Sequence, residues 1–142
     1  INIVFKMDEC IFCKIVAGEI PCRKVYEDET TLAFLDINPA NEGHTLVIPK
    51  RHFEHVGECE DDDLRDVASA IRKVAQAVRK AVECDGMNVH QSNGKAAGQV
   101  IDHIHFHIIP RIEGDFRFGW NQIDMGDDQL DEVMEKIVGE IE

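Results

Sequence analysis

The chain has no run of about eighteen apolar residues, the length a helix needs to cross a bilayer, so no membrane span is expected. Its first residues lack the charged start, apolar middle and small-residue cleavage site of a secretory signal. It is also poor in positive charge: 15 Lys and Arg stand against 28 Asp and Glu, a formal net charge of −13. That balance repels phosphate polymers and anionic membrane surfaces, which argues against nucleic acid and membranes as partners. A small anionic ligand stays open, because backbone N–H groups and imidazoles hold phosphate whatever the global charge. Five cysteines are an odd number, and only Cys10 and Cys13 stand at a recognisable spacing, so a disulfide framework is not expected. Cys22, Cys59 and Cys84 read as ordinary thiols, and the expected setting is soluble, reducing and cytoplasmic. Internal repeats and low-complexity segments are absent. So is the Gly-x-x-x-x-Gly-Lys-Ser/Thr order of a phosphate-binding P-loop, and with it magnesium-dependent NTPase chemistry.

What is present is 142 residues, 44% of them apolar, enough to bury one core and too few for two. A single domain over residues 7–142 is expected, with residues 1–6 read as a leader or tag remnant. Cys10 to Gly18 reads as a short helical turn, followed by Pro21. Lys24–Glu27 and Thr31–Asp36 read as a hairpin around Asp28-Glu29, residues 38–43 as a loop, and His44–Pro49 as a third strand. Leu64, Val67, Ala68, Ile71, Val74, Ala75, Val78 and Val82 recur at helical steps behind the acidic start Asp61-Asp62-Asp63, predicting one long amphipathic helix ending near Gly86. Its charged face (Arg65, Arg72, Lys73, Arg79, Lys80) reads as solvated. Residues 87–92 read as a strand, and Leu130, Val133, Met134, Ile137 and Ile141 predict a terminal helix after Asp127. This order predicts an α+β domain with a mainly antiparallel sheet.

The densest signal is His103-Ile104-His105-Phe106-His107-Ile108-Ile109, in which three of the seven histidines fall at period two. As a strand, this stretch points Ile104, Phe106 and Ile108 into a core and the imidazoles to the other face. Imidazole suits phosphoryl or nucleotidyl transfer: its neutral nitrogen attacks near pH 7, and once on phosphorus it leaves readily. One ring nitrogen must be held as a donor so that the other is left to attack. Just upstream, the segment from Asn93 to Gln99 brings two glycines and two amides close to the histidines, a composition that suits phosphate oxygens.

The pattern His-φ-His-φ-His-φ-φ resembles the histidine-triad (HIT) family. Asn93-Gly94, Gly98-Gln99, Gly43-His44-Thr45-Leu46-Val47-Ile48-Pro49-Lys50 and Phe34-Leu35-Asp36-Ile37 extend the likeness over most of the chain. It is most similar to the Hint-like branch, in the bacterial and archaeal form with Cys-x-x-Cys near the start. The resemblance implies the family's antiparallel sheet with one long helix and a C-terminal helix, and homodimers paired through the long helix and an edge strand. It implies that His105 attacks the α-phosphorus of a nucleotide and that His107 binds or protonates around the phosphate. His44 would lie on the rim of the site. Asn93, Gly98 and Gln99 would meet the phosphate or its leaving group, and Asp36 with Ile37 the nucleoside. Trp120 covers either the pocket or a dimer contact, with a core or surface role equally open.

A thioredoxin-like redox role for Cys10 and Cys13 needs a preceding strand that the N-terminus does not offer. Zinc fits better: two thiolates leave two tetrahedral positions, which His52 and His103 would close into a structural site. These positions match the zinc-carrying members and the related galactose-1-phosphate uridylyltransferases. The expected activity is hydrolysis of purine nucleoside phosphoramidates through a nucleotidyl-histidine. A dinucleoside polyphosphate hydrolase, a nucleotide-binding module with incidental turnover and a three-histidine metal hydrolase are the alternatives.

Overall fold

The computed structural model describes residues 9–115 and 122–142. The expected leader 1–6 and Trp120 lie outside the described residues. The elements are helix α1 (Ile11–Val16), strands β1 (Lys24–Glu27), β2 (Thr31–Leu35) and β3 (Thr45–Pro49), long helix α2 (Asp61–Val82), strands β4 (Gly86–Gln91) and β5 (Phe106–Arg111), and helix α3 (Asp127–Glu140). Single 3-10 turns stand at Val56–Glu58 and Lys95–Ala97. The five strands form one sheet in the order β1-β2-β3-β5-β4, with every neighbouring pair antiparallel.

Strand parity assigns the two faces of this sheet. Ala33 and Leu35 of β2, Val47 of β3 and Ile108 of β5 pack on Val67, Ala70, Val74, Ala77 and Val78 of α2 and on Leu130, Val133 and Ile137 of α3. Leu32, Phe34, Leu46 and Ile48 point the other way, against Cys10 and Phe12 at α1. With both faces covered, β2 and β3 are buried at every position, which is why they read as continuous apolar runs. The cross-strand pair Leu46–His107 places His107 on the α1 face, opposite the long helix.

Two expectations need correction. The histidine run is not strand throughout: the ladder begins at Phe106, and the Ile104 N–H instead donates to the Phe53 carbonyl at 2.7 Å, drawing the chain off the sheet. His103 and His105 therefore sit on an extended approach to β5. The long helix ends at Val82 rather than near Gly86, because Glu83 takes the left-handed conformation (φ 50°) and Asp85 already bonds to the Arg111 carbonyl beside β5. The five predicted cationic positions on α2 are exposed as expected. Asp63 is buried, with its carboxylate on the Arg51 guanidinium at 2.8 Å.

Gly43 shows why the loop into β3 is tight. Its φ is +87°, and a Cβ there would meet Val82 Cγ1 at 3.0 Å and the Pro110 ring at 3.3 Å. Only glycine brings the chain this close to α2, and the next residue, His44, is thereby set beneath the sheet. No described helix is long and apolar enough to cross a membrane.

Candidate active site

A cavity of about 380 Å³ opens on the α1 face of the sheet, within the size range of small-molecule sites. Its apolar lining comes from Ile11, Phe12 and Ile15 of α1 with Phe34 and Leu46 of the sheet, and Asp36, Ile37, Gly98, His105 and His107 also border it. Of the residues singled out from sequence, these last five are brought together at one cavity. The contribution of α1 was not foreseen. Its only sequence signal is the apolar spacing of Ile11, Phe12 and Ile15, which equally describes a core helix.

Hydrogen bonds with the backbone and with one another set the tautomers of His105, His44 and His107. His105 is buried, and its Nδ1–H donates to the His103 carbonyl at 2.7 Å. The proton of the neutral ring is thus on Nδ1, and the lone pair is on Nε2. Burial lowers the His105 pKa, which favours this neutral form. His44 lies behind His107, fully buried, rather than on the rim. Its Nδ1 accepts the Ala40 N–H at 2.9 Å, so its own proton is on Nε2, which donates to His107 Nδ1 at 2.8 Å. His107 in turn carries its proton on Nε2. Burial, with neighbouring positive charge adding to it, pushes His44 down to about 4 and His107 down to about 3, so this relay is neutral at pH 7.

Asp36, His44 and His107 bring ligand-type atoms within 4.8 Å of one another, yet the relay argues against a metal there. With Nδ1 accepting from Ala40, the proton on His44 Nε2 faces His107 as a donor, and a nitrogen that bears a proton cannot be a ligand. A metal held by Asp36, His44 and His107 is disfavoured on this ground. Asp36 Oδ1 accepts the Asn38 N–H at 2.8 Å, and burial raises its pKa.

Asn93 and Gln99 are placed differently from expectation, for neither borders the cavity. Asn93 Oδ1 accepts from the Val56 N–H at 2.7 Å and from Gln91 Nε2 at 2.8 Å, while Asn93 Nδ2 donates back to Gln91 Oε1. Gln99 is buried; its Oε1 accepts the Gly94 N–H, and its Nε2 donates to the Glu54 and Ile101 carbonyls. Both amides brace the loop, and Gly98 (φ +92°) is the part of it that reaches the cavity.

On the far side of α1, Cys10, Cys13, His52 and His103 each offer one ligand atom, all within 4.8 Å of one another. The separations are 3.4 Å for Cys10 Sγ to His103 Nδ1, 3.3 Å for Cys13 Sγ to His52 Nδ1, 3.6 Å for Cys13 Sγ to His103 Nδ1, and 3.3 Å between the two Nδ1 atoms. A tetrahedron with zinc-like bond lengths has edges of about 3.3 Å between nitrogens and about 3.5 Å between nitrogen and sulfur. The donor set fits a closed four-coordinate cation. His103 Nε2–H donates to the Pro49 carbonyl at 2.8 Å, which turns Nδ1 toward the thiols.

An antiparallel α+β sheet that presents buried, tautomer-fixed histidines to a nucleoside-sized cavity defines a histidine-triad protein. The chain belongs to the HIT family: the HIT domain matches residues 17–114. It is 50% identical over 133 residues to an uncharacterised HIT-like protein of Methanocaldococcus jannaschii, covering 92% of this chain and 99% of that relative. It is 41% identical to the adenosine 5′-monophosphoramidase of Schizosaccharomyces pombe, covering 93% and 98%. Among solved structures, it is similar to a zinc-bound histidine triad family protein from Mycobacterium smegmatis, with a TM-score of 0.83, 35% identity and 94% of each chain covered.

Proposed function

We propose that this protein hydrolyses purine nucleoside phosphoramidates, such as AMP-amines, through a covalent nucleotidyl-His105. The observation that carries the reading is the 2.7 Å bond from His105 Nδ1–H to the His103 carbonyl, which leaves a nucleophilic Nε2 on a nucleoside-sized cavity. His105 Nε2 attacks the α-phosphorus, the P–N bond breaks, and the departing nitrogen takes a proton from His107 Nε2–H. Water then attacks the adduct, giving up its proton to His107, and the products are the nucleoside monophosphate and the free amine. His44 holds His107 in the donating tautomer. In this reading Asp36 meets the ribose hydroxyls, Ile37 and the α1 side chains the base, and Gly98 the phosphate; all of them border the cavity. Asn93 and Gln99 act by shaping the loop. The phosphoramidase name of the fission-yeast relative supports the same chemistry.

A panel of adenosine and guanosine phosphoramidates, dinucleoside polyphosphates and sugar nucleotides tests this. The phosphoramidates should be cleaved fastest. Faster cleavage of polyphosphates would move the substrate class within the same mechanism, and binding without turnover would make the protein a binding module.

The cation that suits Cys10, Cys13, His52 and His103 is zinc, in a structural role: bound there, it would cross-link α1 to the segments carrying His52 and His103. The five free thiols, two of them in this cluster, support a reducing, cytoplasmic setting. A homodimer is the expected assembly. Among the described residues, β4 pairs with β5 alone, and its outer edge carries Val89 at 53% exposure, the kind of edge that a second copy covers. Light scattering at micromolar concentration should report twice the mass of one chain, and a monomer would count against the pairing.

A further inference from the structure

Phe12 sits between the two cysteines of Cys10-Ile11-Phe12-Cys13 and is buried. Its ring meets His105 nearly perpendicularly, with centroids 5.3 Å apart at 84°, and meets His103 at 5.8 Å and 75°. Phe34 closes on it at 5.4 Å and 71°. One phenyl ring therefore touches both the proposed nucleophile and an imidazole of the ligand cluster, while also lining the cavity.

The single hydrogen bond from Nδ1–H to the His103 carbonyl leaves the His105 imidazole free to rock about the bond axis, and rocking sweeps Nε2 across the cavity. His107 limits that motion on one side, with centroids 5.0 Å apart. Phe12 supplies a further constraint, since perpendicular aromatic pairs prefer a defined relative plane. Helix α1 has six residues, too few to hold such a ring by its own stability. It is held at its start instead, where Cys10 Sγ accepts the Cys13 N–H at 3.3 Å.

We propose that Phe12 is a positioning residue for His105, fixing the plane of the nucleophilic imidazole in addition to lining the nucleotide cavity. The proposal rests on the reading of His105 as the nucleophile. A leucine at this position keeps the apolar wall but has no ring to set that plane. In Phe12→Leu, formation of nucleotidyl-His105 from an AMP-amine should slow by about tenfold, the scale of loss for a slightly misplaced reacting group. KM should change much less, and the bound metal content should stay that of the wild type. Nitrogen NMR relaxation of the His105 ring should report a more mobile imidazole than in the wild type. Phe12→Met, whose unbranched side chain adapts to the space a ring leaves, should give the same pattern should the leucine variant fold poorly.

Adduct formation at the wild-type rate in the variant, or a loss confined to KM, would overturn the proposal and leave Phe12 a pocket wall. Absence of any adduct in the wild-type protein would instead sink His105 as nucleophile. The ring relaxation then decides alone, with unchanged His105 ring mobility refuting the positioning role and increased mobility supporting it.

Discussion

His105→Asn is expected to lose turnover by a factor on the order of 10⁴ or more, while nucleotide binding persists. The variant lacks the ring nitrogen proposed to form the P–N bond to the enzyme, and removal of a covalent nucleophile collapses the whole covalent route. The cavity side chains that hold the nucleoside remain, so affinity should change little. Mass spectrometry of acid-avoiding quenches should find a nucleotidyl group on the His105 peptide of the wild type and none in the variant. Turnover like that of the wild type in His105→Asn would place the nucleophile elsewhere. Replacing His107 or His44 should cost less, roughly 10²–10⁴-fold, as expected for proton transfer and the group that aligns it. His105, whose pKa burial also lowers, and this relay together shape the acid limb of the rate. The neutral form is the working one, and burial pushes His44 down to about 4 and His107 down to about 3. Protonation of this pair therefore begins well below the usual imidazole value of about 6.5, so its contribution to the rate should persist at mildly acidic pH and fall toward pH 4.

The second large effect is on stability. Stripping the metal with a chelator, or Cys13→Ala, should lower the unfolding temperature substantially while a His105 adduct still forms, though more slowly. A cation bound only by the folded chain stabilises it by about 4 kcal/mol at a thousandfold excess over its Kd. For a domain of this length that is roughly 10 °C in Tm. Helix α1 depends on the cluster most directly, because both cysteines sit at its start and its six residues do not form a stable helix alone. Calorimetry with and without chelator, beside elemental analysis of reduced, zinc-replete protein, checks this. No bound metal, or a Tm indifferent to chelation, would refute it.

Much of this was already determined by the sequence, because it rests on local periodicity and side-chain chemistry. Three- and four-residue steps from Leu64 to Val82 made α2, and alternation separated His107 from Phe106 and Ile108. The spacing of Cys10 and Cys13 offered two thiolates, the family resemblance added His52 and His103, and the fold gathers all four within 4.8 Å. The alternation failed at His103 to His105, since strand character there depends on a partner, and the Phe53 carbonyl takes the Ile104 N–H before the ladder begins. Asn93 and Gln99 looked like phosphate ligands by type, yet an amide binds whichever groups face it, and here Val56, Gln91, Gly94, Glu54 and Ile101 face them. The placement of α1 over the cavity, and with it the Phe12–His105 contact, joins residues 93 positions apart and follows from packing on the sheet. Only the tertiary structure decided which nitrogen of each imidazole carries the proton. That choice belongs to the Pro49 and His103 carbonyls and the Ala40 N–H, backbone groups that every residue possesses and only folding aims.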